Sequence, residues 1–392
     1  MTLTAPVLVQ TLKDLCIRVV AASFENNPQF GPLSEKYIKK VTSVLPLDLP
    51  LELVGTLITD EAYWQRRCNA RWKNTEVLAH GNSFKQMYFE RNLQDAVEQY
   101  DPAISSEGDL RRLMTYSRRY VHTLNLRQLP SHMDLAIIFD CMINSPSALA
   151  VRYNLQNVGM EYDRSLFGMK LADCRNLAKA LESNETLTYL DLSNNSLDDD
   201  KVRMLASGLV ENLSITHLNL SHNKIADRGV RALAKLLDSR SVIALMELQD
   251  NLIHTEGAKS LARALKGNHA LISLNLRLNR LGDEGCMVIC EALRGNANLQ
   301  KLNIAANSAG KACVSALCAL IRLTNNITEL DISCNAGLAS SGCEQVRRAV
   351  EQNNSLSILD MRSCGAEMDD EFAVAEALRV RLEKKERAKV LS

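Results

Sequence analysis

Aliphatic residues recur along the chain in the frame L-x-x-L-x-L-x-x-N. It runs Leu187–Leu190–Leu192–Asn195, Ile215–Leu218–Leu220–Asn223 and Ile243–Met246–Leu248–Asn251. It continues as Leu271–Leu274–Leu276–Asn279, Leu299–Leu302–Ile304–Asn307 and Ile327–Leu330–Ile332–Asn335. The asparagines stand 28 residues apart throughout, and a seventh copy, Leu356–Leu359–Met361–Cys364, follows after 29. The second half of each period carries apolar i,i+4 pairs: Leu177/Leu181, Leu205/Leu209, Leu233/Leu237, Leu261/Leu265, Ile289/Leu293, Leu317/Ile321 and Val346/Val350. That spacing puts both members on one helix face. Each unit therefore predicts a short strand, a turn and a helix. One unit cannot bury its own aliphatic face, so the units must stack on one another.

This pattern identifies the fold class as α/β, a leucine-rich-repeat solenoid of the 28-residue, ribonuclease-inhibitor-like horseshoe type, with an α-helical N-terminal cap. The expected organisation is a helical N-terminal region at 1–117, a repeat array at 118–366 with an insertion at about 155–167, and a C-terminal helix at 367–392. Upstream of the regular copies, Leu149–Val151–Asn154 keeps part of the frame, and Val121–Leu124–Leu126 with Leu129 reads as a degenerate first strand. The helix MDLAIIFDCMIN joins these two, and about nine strands result. Gly229, Gly257 and Gly285 share one phase, where a helix start comes close to its neighbour. In the C-terminal helix, Phe372, Ala375 and Leu378 are expected to continue the buried face. Its end, with Lys384, Lys385, Arg387 and Lys389, is either a solvated helix or a dock for an acidic neighbour.

The asparagine column (Asn154, Asn195, Asn223, Asn251, Asn279, Asn307 and Asn335) is expected to be structural. A buried amide both donates and accepts, so it can satisfy the backbone groups that a turn leaves inside the solenoid. Replacing one by an apolar residue is expected to cost about 1–3 kcal/mol. Cys364 takes the last position as a weaker partner.

The flank at 1–117 lacks the period. Leu12, Cys16, Val19 and Val20 predict an amphipathic helix, and Pro28, Pro32, Pro46 and Pro50 bracket a helix over Ser34–Leu45. Asp60 and Ser83 are candidate caps for two more helices. Trp64, Trp72, Tyr88 and Phe89 are core residues or, alternatively, a partner patch.

Lys+Arg and Asp+Glu both number 46, so the formal charge is zero, which disfavours binding that relies on massed positive charge. Nucleic acid and membrane are therefore not expected as partners, and without a catalytic motif neither is a small-molecule substrate. No stretch reaches the roughly 18 apolar residues of a membrane span, and Lys13, Asp14 and Arg18 interrupt the N-terminal apolar run, so no signal peptide is expected. The 11 cysteines, Cys286/Cys290 and Cys313/Cys318 among them, lack metal-ligand spacing and read as reduced thiols of an intracellular protein. Gly310-Lys311 does not complete a phosphate loop, and His217 and His222 have no nucleophile beside them. No catalytic, cofactor-binding or metal-binding residue is assigned.

Binding then falls to the sheet's concave face and the insertion. The central outward column reads Asp191, Asn219, Glu247, Asn275, Asn303, Asp331 and Asp360, flanked by Tyr189, His217, Arg277, Lys301, Glu329 and Arg362. This polar, weakly acidic face fits either a basic partner of moderate affinity or a large footprint within a multi-subunit assembly, although Asp or Asn at these positions is also ordinary repeat usage. The insertion offers Met160, Tyr162, Arg164 and Phe167.

The segments LITDEAYWQRRCNARW, HGNSFKQMYFERNLQ and NVGMEYDRSLFGMKLADCRNLAKAL carry a more specific signal. From about residue 58 into the repeats they resemble the T-complex-associated testis-expressed protein family, the leucine-rich-repeat (fifth) subunit of the nexin–dynein regulatory complex. The resemblance implies a non-enzymatic scaffold in the cytoskeleton of the cytoplasm, placed in the axoneme of motile cilia and flagella. There it would contribute to inter-doublet linkage and to the regulation of dynein-driven motility, with the other complex subunits as partners. A Ran-type GTPase-activating protein built on the same repeat is the alternative reading. It usually carries a long acidic tail, whereas this C-terminus contains Lys and Arg. An inhibitor-type or innate-immune sensor would call for a nucleotide-binding domain or an aromatic-rich concave face.

Overall fold

The phased aliphatics act through pairing between coils. A computed structural model describes residues 11–129, 133–154 and 167–390, with side chains described to 383. Two compact units result, 1–96 with 102–124, and 97–101 with 125–392.

The first unit holds α1 (Leu12–Ala22), α2 (Glu35–Thr42), α3 (Leu51–Leu57), α4 (Glu61–Arg71), most of α5 (Phe84–Glu98) and α6 (Glu107–Ser117). Asp60 caps α4 by accepting from Ala62 N at 3.1 Å, and Ser83 Oγ accepts from Gln86 N at 3.2 Å at the start of α5. The helix bracketed by prolines stops at Thr42, short of Leu45. Trp64, Tyr88 and Phe89 are buried, with ring centroids 5.5–5.6 Å from Trp64, whereas Trp72 is half-buried. Buried Arg67 lies 4.7 Å over the Tyr88 ring and donates to Leu49 O at 2.7 Å, so its charge is met on two sides. Helix α1 departs from its expected packing: Leu12 and Val19, on the face read as buried, are 79% and 67% exposed.

The second unit starts within β1 (Thr123–Leu126), whose first two residues belong to the first unit, and goes on through α7 (Ala136–Cys141), β2 (Ala148–Val151), α8 (Leu171–Glu182), β3 (Tyr189–Asp191) and α9 (Asp199–Leu209). There follow β4 (His217–Asn219), α10 (Asp227–Ala234), β5 (Leu245–Glu247), α11 (Thr255–Leu265), β6 (Ser273–Asn275) and α12 (Gly282–Leu293). The chain closes with β7 (Lys301–Asn303), α13 (Val314–Leu323), β8 (Glu329–Asp331), α14 (Ala339–Gln352), β9 (Ile358–Asp360) and α15 (Met368–Val390). Among the described residues, nine strands form one sheet in chain order. Register advances one repeat at a time, with Tyr189 opposite His217, His217 opposite Leu245, and so on to Glu329 opposite Ile358, all parallel. Such parallel pairs need a crossover, which each helix supplies. Leu190, Leu218, Met246, Leu274, Leu302 and Leu330 are buried in register and form the core column.

One expectation shifts here. In α15 the buried residues are Val374 and Leu378, whereas Phe372 is 69% exposed and Ala375 lies in solvent. Gly208, unremarked in the sequence, is the tightest helix contact of the array. A Cβ there would lie 2.6 Å from the Ala178 carbonyl carbon and 2.7 Å from its Cα, on the backbone of α8. A rigid backbone cannot rotate away, so Gly208→Ala is expected to force α8 and α9 apart and cost about 1–3 kcal/mol in a urea titration.

Candidate functional site

The sheet's solvent side is built by the strand exits. Asp191 Oδ1 accepts from Ser193 N at 2.8 Å, Asn219 Oδ1 from Ser221 N at 3.0 Å, and Asn275 Oδ1 from Arg277 N at 3.0 Å. Asn303, Asp331 and Asp360 repeat the bond with Ala305, Ser333 and Arg362. A short carbonyl-bearing side chain that reaches the amide two residues on closes an Asx turn. The Asp/Asn habit of this column is therefore partly structural, and Glu247, one methylene longer, stands outside it.

What remains for a partner is the unspent part of each side chain. Asn275 Nδ2 donates to Glu247 Oε2 at 2.7 Å, and Asn303 Nδ2 to Asp331 Oδ2 at 2.8 Å. Lys301 Nζ sits 2.7 Å from Glu329, and Arg362 chelates Asp360, holding its carboxyl below the usual range. All of these but Arg362 line a depression of about 340 Å³ together with Ser273 and Ile358. At the other end the Tyr189 and His217 rings meet edge-on at 4.5 Å; burial pushes the tyrosine pKa up and the histidine pKa down, so His217 is neutral at pH 7. His222 lies off the strand, its Nδ1 2.9 Å from Asp250. The structure thus brings Asp191, Asn219, Glu247, Asn275, Asn303, Asp331 and Asp360 into one column, with Arg277 and Arg362 beside it. Tyr162 and Arg164 lie outside the described residues, as does Met160, and Phe167 is half-buried.

The asparagine column runs through the turn behind each strand. Asn223 Nδ2 donates to Leu192 O and Leu220 O, and its Oδ1 accepts from Asn195 N and Leu197 N. Asn251, Asn279 and Asn307 repeat this donor pattern, each reaching a carbonyl 31 residues back. Asn195 reaches back to Val151 O, and Asn154 is half-buried with one long bond, 3.3 Å, to Asn194 O. Cys364 closes the series with Sγ 3.3 Å from Ile332 O.

Two further ladders were not read from the sequence, though both keep the same period. Asn184, Asn212, Asn268, Asn296, Thr324 and Asn353 precede each strand by a fixed step. Asn212, Asn268, Asn296 and Asn353 donate to the coil before, as Asn296 does to Leu265 O at 2.9 Å, and all six accept from the amide three residues on. Arg240 breaks this series. Asp199, Asp227 and Asp283 each accept from the amide starting the next coil's helix, Ala226 N, His254 N and Gly310 N. Asp199 and Asp227 also bind Gly229 N and Gly257 N at 2.9 Å, leaving a Cβ on either glycine only 2.7 Å from the carboxylate.

Among the described residues no cluster of His, Cys, Asp and Glu could hold a metal ion, and no helix is long and apolar enough to cross a membrane. Burial pushes the Cys68, Cys174, Cys313 and Cys364 thiols up to about 12, so they are protonated at neutral pH and poor nucleophiles.

Comparison with known proteins agrees with this architecture. The leucine-rich-repeat family pattern matches residues 183–206, 211–234 and 267–290. Dynein regulatory complex subunit 5 of Chlamydomonas reinhardtii is 66% identical over 202 residues, 52% of each chain. Its mouse counterpart is 31% identical over 224 residues, 50% of this chain and 45% of that one. The chain thus spans about half the length of the curated relatives it matches. Among solved structures, the tropomodulin C-terminal domain from Caenorhabditis elegans aligns with 57% of this chain and all of its own length, at 15% identity and a TM-score of 0.26, which carries no argument. The chain carries leucine-rich repeats and resembles, over half its length, dynein regulatory complex subunit 5.

Proposed function

We propose that this chain is a non-enzymatic interaction subunit of a nexin–dynein regulatory complex, working in the axoneme of motile cilia or flagella. The observation that carries the reading is the 66% identity over 202 residues to the Chlamydomonas subunit. Mechanically, the repeat array suits a spacer. Successive coils are tied by a sheet ladder and by up to three side-chain ladders, so sliding one coil past another breaks several buried bonds together. A tagged full-length chain should localise along motile cilia and co-purify from axonemes with regulatory-complex subunits. A diffuse signal in ciliated cells, with none of those subunits recovered, overturns the proposal.

Within that role, the sheet's solvent side takes a basic surface of another subunit. Support comes from the carboxylates gathered on that face, Glu247, Glu329, Asp331 and Asp360, whose partners Asn275, Lys301, Asn303 and Arg362 are side chains that a basic surface would displace. Glu247 and Glu329 close no turn, so reversing both (Glu247→Lys with Glu329→Lys) leaves the strand exits intact. Recovery of complex subunits is expected to fall by about tenfold or more, while the lost Lys301–Glu329 pair and Asn275–Glu247 bond, both at the surface, lower the melting temperature only slightly. Undiminished recovery would place the contact elsewhere.

A further inference from the structure

In the helical unit, positive charge collects around one pocket. Helix α6 and the turn after it carry two arginine pairs, Arg111-Arg112 and Arg118-Arg119, seven residues apart. Seven residues make about two helical turns, so the pairs share one side of the helix, roughly 10 Å apart along its axis. All four arginines line a pocket of about 520 Å³, whose floor includes Tyr116 and Tyr120, and no Asp or Glu lines it. Arg111 Nε lies 2.7 Å from Glu107 and Arg112 meets Asp109. Arg118 and Arg119 are exposed and have no ion pair among the described residues. Both tyrosine hydroxyls are spent on the backbone of α3: Tyr116 Oη donates to Leu51 O and Tyr120 Oη to Gly55 O, each at 2.9 Å. Gly55 permits that approach, because a Cβ there would meet Tyr116 Oη and lie 2.9 Å from Phe89 Cζ. Phe89 in turn stacks on the Tyr120 ring at 4.3 Å and fixes it. The rings are thus left as an apolar floor under an arginine rim. Arginines at a helix C-terminus also complement the helix dipole, which accounts for Arg118 and Arg119 but not for the floor or for the pair two turns earlier.

We propose that this pocket is a docking site for an acidic segment of another protein, an extended stretch in which two carboxylates flank an aromatic side chain. The charge left over on Arg118 and Arg119 sets the sign of the partner, and guanidinium forks match carboxylates bidentately. Alternate residues of an extended strand share a face, so acids four positions apart span about 13 Å. Long arginine side chains adjust to that span, and the residue midway lies over the tyrosine rings. A nucleic-acid strand fits less well, because its charges run on at regular spacing, whereas here the positive surface ends at Glu107 and Asp109 in the first turn of α6. A lone phosphate would engage one arginine pair and leave the rings uncovered. The site rests neither on the sheet's acidic column nor on the complex in which the chain works.

The probe is the fluorescein-labelled peptide GSESFSESG, titrated into the full-length protein and followed by fluorescence anisotropy. Its Kd is expected below about 1 mM at low salt, rising several-fold as added salt screens the charges. The peptide GSQSFSQSG, without the carboxylates, should bind roughly tenfold more weakly or worse. Arg118→Ala combined with Arg119→Ala should weaken binding by about tenfold or more. Thr56→Glu, which places a carboxylate at the pocket wall and removes no arginine, should weaken it as well. All three positions are exposed, so both variants should keep the parent's melting temperature closely, and either one that does so decides the matter. Four outcomes overturn the proposal: no anisotropy change at millimolar peptide, equal binding of the glutamine peptide, or a folded variant that binds as well as the parent. The fourth is displacement of the probe by inorganic phosphate or a short RNA at lower concentration than by unlabelled peptide, which would make the ligand a phosphate.

Discussion

Asn335→Leu is expected to destabilise the chain by about 4 kcal/mol, above the 1–3 kcal/mol of a single unmet group. The Asn335 side chain is fully buried and makes five bonds. Nδ2 donates to Ile304 O at 3.1 Å, Ile332 O at 2.8 Å and Ser333 O at 3.4 Å, and Oδ1 accepts from Asn307 N at 2.9 Å and Ala309 N at 3.0 Å. Leucine fills a similar volume, so little of the loss comes from packing. What it cannot do is accept, and two backbone amides of the preceding coil are stranded out of reach of water. Ile304 O is partly spared, because Asn307 Nδ2 also reaches it at 3.1 Å. Urea unfolding followed by circular dichroism measures the cost. Asn154→Leu is the comparison, since Asn154 is half-buried with one long bond; it is expected to lose well under 1 kcal/mol. Equal losses at the two positions would mean that the column does not work through its hydrogen bonds.

The contrast between these two asparagines shows how far a period carries. From Asn195 to Asn335 the repeat specifies residue type and environment together, because each coil meets an identical neighbour on both sides. At Asn154 the letter is the same, but among the described residues its side chain keeps one long bond, to Asn194 O. The ladders through Asn184–Asn353 and Asp199–Asp283 were legible by the same arithmetic. They fall outside the aliphatic frame, where attention to hydrophobic spacing does not lead. The α15 face is a related miss: one repeat beyond Val346/Val350 stand Val374 and Leu378, the residues that are buried. Of the expected Phe372, Ala375 and Leu378, only Leu378 keeps the repeat's phase and is buried. The solvent column was readable as a column. Its double duty was not, because closing an Asx turn depends on backbone geometry at the strand exit.

The helical unit has no period, and its central polar contact could not have been found by spacing. Glu90 is 3% exposed, and one of its carboxylate oxygens accepts from Gln86 Nε2 at 2.9 Å, His122 N at 2.9 Å and Thr123 N at 2.8 Å. The other oxygen meets His80 Nδ1. One side chain on α5 therefore fixes the backbone where the chain enters β1, and holds the segment before α5 as well. Glu90→Leu removes all four bonds while keeping an apolar stem, and is expected to cost about 3–5 kcal/mol, most of it from the two orphaned amides and the unpaired His80 ring. Glu90→Gln keeps one oxygen to accept from His122 and Thr123, and its amide can still donate toward His80. That variant should lose only about 1–2 kcal/mol. Chemical denaturation of the full chain, followed by tryptophan fluorescence since both tryptophans lie in this unit, reads the difference. If the glutamine variant falls as far as the leucine one, the negative charge rather than the anchored backbone is what Glu90 contributes.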